Sequence, residues 1–304
     1  MFFARLCTVP VGSIDAERSA AQLRRFRLNL LLLADWAEAA EGEPFLLPSA
    51  AQPFCMIVVP CYNEGARLRS GSFLEFVLSH ANIQFLFVND GSTDNTLAVL
   101  TTLCAQAPER MQILDLQPNG GKAEAVRKGM LAAMQSGQAT YIGFWDADLA
   151  TPLETIPEFA ALLESNAQLQ MIFGARIRLL GRQVHRRAIR HYLGRCFASV
   201  VSIALRLPIY DTQCGAKLFR ATPELEMVLR DPFLSRWIFD VEILARYIAL
   251  HHGDNSYLMD SIYELPLMQW EDVAGSKVHP SDFLKATFDI WRIYRTYIAP
   301  IPKR

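Results

Sequence analysis

The sequence predicts an α/β protein, a mixed sheet of largely parallel strands flanked by helices. Short apolar runs rich in β-formers recur along the middle of the chain: CMIVV (55–59), IQFLFV (83–88), MQILDL (111–116), TYIGFW (140–145) and LQMIFGA (169–175). Between them lie stretches of helical spacing, residues 67–79, 93–105, 122–135 and 152–165. Alternation of this kind builds a parallel sheet whose crossover helices cover both faces. The first four runs each end in polar or turn residues, at 60–64, 89–94, 117–122 and 146–148, and ligands bind at the carboxyl ends of such strands.

Residues 1–54 differ in character from the rest of the chain. Residues 15–40 read as an amphipathic helix with Leu23, Phe26, Leu30, Leu33 and Ala37 on one stripe, and PFLLPSAAQP (44–53) as a linker. The start shows no secretory signal pattern. The first strand runs into VVPCYNEGARL (58–68), where Pro60 closes the strand and Tyr62 and Glu64 face the mouth. An aromatic ring can cover a base there, and a carboxylate can take its donors or a ribose hydroxyl. The second runs into VNDGSTDNT (88–96). Asp90 can accept from a pyrimidine N–H or sit in a turn, and Asp94 reads best as a helix cap. The third leads to NGGKAEAVRKGM (119–130), with glycines and Lys122 at a helix start that attracts anions. The fourth ends in WDADLATP (145–152). Asp146 and Asp148 can offer oxygens to one hard divalent cation that in turn holds a diphosphate, or the loop can serve only to cap the helix after Pro152.

Together and in this order the four loops resemble the inverting family 2 glycosyltransferases of GT-A fold, with their P-x-Y-N-E, D-G-S-x-D, G-K and D-x-D motifs. The resemblance implies that Pro60, Tyr62, Glu64, Asp90 and Lys122 contact the nucleotide, and that Asp146, Ala147 and Asp148 form the nucleotide-sugar loop. It also implies that Asp148 ligates Mg²⁺ or Mn²⁺ with Asp146 bridging nucleotide and metal. DTQCGAKLFRAT (211–222), RWIFDVEIL (236–244) and WEDVAGSKVHP (270–280) are similar to the dolichyl-phosphate β-glucosyltransferases. That implies a UDP-glucose donor and a polyprenyl or dolichyl phosphate acceptor. Residues 55–175 become the nucleotide-sugar half of a domain spanning 55–304, and residues 176–304 its acceptor half. Residues 275–277 (GSK) are expected to form a mobile cover.

The second half carries a basic amphipathic stretch from Arg176 to Arg206. Arg178, Arg182, Arg186, Arg187, Arg190 and Arg195 are interleaved there with Leu179, Leu180, Ile189, Leu193, Phe197 and Val201. Such a stretch suits an anionic membrane surface or a lipid phosphate, with Arg176, Arg186, Arg187 and Arg190 on the acceptor; the bland reading is a solvated helix face. Gln213 and Lys217 fit a loop approaching the acceptor or diphosphate. A phosphate monoester, with a second pKa of about 6, attacks without a general base, whereas a sugar hydroxyl needs one. The candidate bases are Asp240, then Asp211, with Glu242 off Asp240's face. Cys214 has no histidine in a motif with it and is read as packing.

Composition narrows the alternatives. Thirty basic and 31 acidic residues leave a formal charge of −1, so the whole chain makes no electrostatic case for nucleic acid. Six scattered cysteines without metal spacing read as buried thiols of a reducing cytoplasm. Residues 28–34 and 197–205 are apolar but fall short of the roughly 20 residues a spanning helix needs. The expected site of action is therefore the cytoplasmic face of a membrane, reached peripherally, with self-association left open. Rival readings are a soluble or protein acceptor, a nucleotidyltransferase, and a sugar-nucleotide sensor without activity.

Overall fold

The computed structural model describes residues 54–185, 188–271 and 280–302. The expected N-terminal helix and linker, Arg186, Arg187 and the expected cover at 275–277 lie outside them. In chain order the elements are β1 (Cys55–Cys61), α1 (Ser70–Ser79), β2 (Ile83–Asp90), α2 (Thr96–Cys104), β3 (Met111–Leu116), α3 (Lys122–Gln135), β4 (Tyr141–Trp145), α4 (Thr155–Ser165) and β5 (Met171–Ala175). After them come β6 (Gln183–His185), α5 (Ala188–Leu205), β7 (Ala216–Arg220), α6 (Pro223–Leu229), α7 (Phe239–Leu250), α8 (Asn255–Ser261), β8 (Ile262–Pro266), β9 (Gln269–Glu271), α9 (Pro280–Ile293) and a π turn, Tyr294–Ile298.

The main sheet has seven strands in the order β3-β2-β1-β4-β7-β5-β8, and β6 pairs with β9 in a small second sheet. β1 runs parallel to β2 and β4, β2 parallel to β3 and β5 parallel to β8. β7 lies antiparallel between β4 and β5, so the sheet is mixed. The near-continuous apolar runs are explained by burial on both faces. In β1, Val58 packs with Val88, Val126 and Phe144 on one side of the sheet, while Ile57 and Val59 pack with Phe73, Phe85 and Phe87 on the other, following the two-residue side-chain period. Phe73 meets Phe85 and Phe87 edge-on, with centroids 5.2 and 5.1 Å apart.

Three helices start later than their spacing predicts, α4 at Thr155 among them. Residues 64–68 form a turn, Leu68 N–H donating to the Glu64 carbonyl at 2.8 Å, and α1 begins only at Ser70. At α2 the Asp94 carboxylate accepts from Thr96 N–H at 3.0 Å, so Asp94 caps the helix instead of joining it. The basic stretch is a larger departure. It breaks into a loop, the short β6 and α5, because the glycine at 181 takes a positive φ of 81° and ends any continuous helix. Of the described cysteines, Cys55, Cys61, Cys104 and Cys214 are buried as expected, but Cys196 on α5 is exposed.

α3 lies against the centre of the sheet through Gly129. A Cβ at that position would stand 2.5 Å from Val58 Cγ1 and 2.8 Å from Val88 Cγ2, so the glycine sets how closely helix and sheet approach. Gly129→Leu is expected to destabilise the fold by at least about 2 kcal/mol through overpacking; an unchanged urea midpoint would refute that reading of the contact.

Candidate functional site

The polar ends of β1, β2 and β4 and the start of α3 converge at one edge of the sheet, and most of their side chains brace one another. Asn63 takes a left-handed φ of 52°. Its N–H donates to Ser92 Oγ at 3.0 Å, and its Oδ1 accepts from Thr93 N–H at 2.9 Å. Glu64 N–H donates to Thr96 Oγ1 at 2.8 Å. The β1 loop is thereby clamped to the β2 loop, leaving Tyr62 half-exposed beside it. The Glu64 carboxylate, itself buried, faces the Arg67 guanidinium in a two-point contact. That hydrogen bond holds the guanidinium pKa above its ordinary value, burial opposing it. Pro60 is the last but one residue of β1.

Asp90 is buried at the end of β2 and accepts from Asn119 Nδ2 (2.9 Å), Gly120 N–H (2.7 Å) and Gly121 N–H (2.8 Å). Three of a carboxylate's roughly four acceptor positions are thus used on the loop that starts α3. Asp90 shapes that loop. Gly91, at φ 61°, lies against it, since a Cβ would meet Asn119 N at 2.5 Å. Arg236 closes the loop's outer side, donating to the Gly120 carbonyl at 3.1 Å and Asn119 Oδ1 at 2.9 Å.

Lys122 reaches across from α3 to Asp146, with Nζ 2.5 Å from Oδ1. Burial lowers its ammonium pKa and the Asp146 charge raises it, with a net rise. Asp146 N–H donates to the Gly215 carbonyl at 2.9 Å. A Cβ on Gly215 would fall 1.9 Å from Asp146 Oδ2, so only glycine lets the start of β7 come this close to the carboxylate. Ala147 is buried behind the loop and Leu149 turns it with a φ of 53°. Asp148 accepts from Ala150 N–H at 3.1 Å. Burial, and then the neighbouring Asp146 charge, push its carboxyl above the usual range. Among the described residues no group of three or more His, Cys, Asp or Glu could hold a metal alone. The donor set nonetheless fits a hard cation, as two oxygen ligands lie side by side and one is short of positive charge; a diphosphate would complete the coordination.

The two proposed bases stand elsewhere in the charge pattern. Asp211 is buried and takes a bidentate contact from Arg176, Nε–Oδ2 2.7 Å and Nη2–Oδ1 2.8 Å, plus Arg176 N–H at 3.0 Å. Arg176 also lies over the Trp270 ring at 5.4 Å. Burial opposes its charge, but Asp211 raises its pKa well above the ordinary value. Arg176 is therefore a partner for Asp211 rather than a free hand for an acceptor. Lys217 departs further from expectation. It lies on β7, not on a site loop, and has no exposed surface. Its ammonium is 2.6 Å from Asp240 Oδ1 and donates to the Cys214 carbonyl at 2.5 Å, between the rings of Phe144 and Phe173 at 5.1 and 5.0 Å. It cannot touch an acceptor without the strand opening. Burial raises the Asp240 pKa and Lys217 lowers it, leaving a net rise. Gln213 links the two acids, its N–H to Asp211 Oδ1 at 3.2 Å and its Nε2 to Asp240 Oδ2 at 3.4 Å. Glu242 is buried against Arg246 at 2.7 Å. Arg190 lies within α5, and its side chain is outside the described set.

Sequence reasoning missed Arg67, Arg236 and Gly215. Arg67 is signalled by its i, i+3 spacing from Glu64; Arg236 and Gly215 lie inside the RWIFDVEIL and DTQCGAKLFRAT segments, but their partners across the fold are not legible there.

This edge gathers polar strand-end loops over an acidic pair, and the comparisons give its class. The Glycosyl transferase family 2 profile matches residues 56–224, and the chain belongs to that family. Among its relatives, a dolichyl-phosphate beta-glucosyltransferase of Trichomonas vaginalis is 30% identical over 258 residues, covering 81% of this chain and 72% of that protein. The dolichyl-phosphate beta-glucosyltransferase of Saccharomyces cerevisiae is 30% identical over 271 residues, covering 82% and 76%. The chain is thus a hexosyltransferase that resembles dolichyl-phosphate β-glucosyltransferase. Glucosyl-3-phosphoglycerate synthase from Mycobacterium tuberculosis, solved with Mn²⁺ and UDP-glucose, shares the fold at a TM-score of 0.57 and 15% identity, over 86% of each chain.

Removing the Lys217 charge should leave Asp240 buried and unpaired. Lys217→Met is expected to cost about 3–5 kcal/mol, and Lys217→Met/Asp240→Leu to recover most of it. Equal losses in both, measured by denaturant melts, would show that the pair does not carry this stability.

Proposed function

We propose that this family 2 enzyme moves glucose from UDP-glucose, with inversion, to the phosphate of a polyprenyl or dolichyl chain at a membrane surface. The observation that carries the acceptor is the pairing of every candidate base: Asp211 with Arg176, Asp240 with Lys217 and Glu242 with Arg246. A nucleophile that must lose a proton needs a free base, whereas a phosphate monoester is already mostly dianionic at pH 7. A site whose three candidate bases each face a cation suits the second. The relatives' names point the same way.

On this reading Tyr62 covers the base, Glu64 and Asp90 take its polar edge, and Lys122 holds a diphosphate oxygen. Asp146 and Asp148 would hold Mg²⁺ or Mn²⁺. A bound divalent ion supplies charge stabilisation for the departing nucleoside diphosphate. The protein's own residues orient donor and acceptor for in-line attack at the sugar C1.

Three outcomes are expected. Asp148→Asn should remain folded and lose most transfer, with chelator doing the same to wild type; full turnover under either treatment would remove the metal from the reading. Transfer to a polyprenyl phosphate should rise with pH through about 6 and then level off, tracking the acceptor's second ionisation. A donor and acceptor panel in which sugar hydroxyls are used and lipid phosphates are not would overturn the acceptor.

A further inference from the structure

α9 is amphipathic towards the core and yet carries large apolar side chains on the side that faces away from it. Ala286, Ile290 and Ile293 are buried in the cluster built on α7 and the sheet. The 3.6-residue period places Phe288, Trp291 and Arg292 opposite them and Lys285 on the flank. Phe288 is 59% and Trp291 53% exposed, and their rings stack with centroids 5.7 Å apart. Arg295 lies over the Trp291 ring at 5.5 Å, and Tyr294 is exposed beside it. A helix that is apolar on both sides ordinarily belongs in an interior or against a partner.

The charges identify the partner. Asp289, on the flank of this helix, accepts from Ser235 Oγ at 2.7 Å and lies 3.7 Å from Arg292, which donates to the Leu234 carbonyl at 3.4 Å. What faces outward is aromatic and cationic. A two-fold dimer through it would bring together two copies of a face whose basic residues, Lys285, Arg292 and Arg295, outnumber its acid, Asp289, and that excess of like charge disfavours self-association and favours an anionic surface. Trp, Tyr and Phe beside basic side chains are the composition of elements that lie in the headgroup layer, the rings entering the acyl boundary while arginine stems extend to the phosphates. The geometry points to α9 as a monotopic docking face for an anionic lipid bilayer, separate from the basic stretch at 176–205. No helix among the described residues is long and apolar enough to span a membrane, so shallow docking is how this surface would meet one. Its use in bringing the catalytic edge to a lipid phosphate rests on the proposed acceptor; the docking itself does not.

The test uses the full chain and vesicles of phosphatidylcholine with or without phosphatidylglycerol, without donor. Wild type should co-sediment with the anionic vesicles, less so at high salt. Phe288→Ser/Trp291→Ser/Arg295→Glu should partition at least about tenfold more weakly, with Trp291→Ser alone intermediate and both variants melting like wild type. The triple variant should still glycosylate a short, water-soluble isoprenyl phosphate at the wild-type rate. Failure of wild type to bind anionic vesicles, or unchanged binding by the triple variant, overturns the docking face. If vesicle binding behaves as expected but neither protein uses the soluble phosphate, the docking face stands and the acceptor reading falls.

Discussion

A lysine ammonium with no exposed surface can remain charged only if the fold brings it a counter-charge and hydrogen-bond acceptors. Lys217 obtains both from Asp240 and the Cys214 carbonyl. The pair ties β7 to the first turn of α7, and the flanking rings of Phe144 and Phe173 belong to the two strands between which β7 runs antiparallel. Two residues before Lys217, Gly215 touches the acidic loop at the end of β4. The pair lies within the second half of the chain, and the β4–β7 ladder with the Gly215 contact carries the position of β7 to Asp146 in the first. The candidate site is consequently a product of both halves, although the four strand-end loops all lie in one.

The parallel half is legible in the sequence because its signals are local: apolar runs, each ending in a polar loop, specify β1 to β4 and their ligand-facing ends. What the loops do to one another is not. Asp90 reads equally as a nucleotide contact or a turn residue, and only the fold brings Asn119, Gly120 and Gly121 onto its carboxylate. The run AKLFR reads as part of a loop because a lysine interrupts it, and the acid that makes this lysine tolerable in a strand comes from a later helix. Asp211 and Asp240 read as bases for a related reason. A buried acid has the same letter whether or not a cation stands beside it, and only the fold brings Arg176 and Lys217 to these two.

With those partners in place, the mouth has one pronounced imbalance. Asp90 is bonded to amides, Glu64 faces Arg67, Asp146 faces Lys122, and Asp211 and Asp240 have their own cations. Asp148 instead has the Ala150 amide, and burial beside Asp146 makes its charge costly. A divalent cation would relieve that cost, which gives the acidic loop a use that helix capping alone would not require.

The same charges govern how a diphosphate would enter. Lys122 is about one-third exposed and already engaged by Asp146, so an arriving anion has to compete with that carboxylate for it. The exchange becomes favourable when a cation takes over the neutralisation of Asp146 and Asp148 together, because Lys122 is then free for the phosphate oxygens and no carboxylate is left uncompensated. Metal and nucleotide would accordingly bind with positive coupling, each removing a charge conflict that opposes the other.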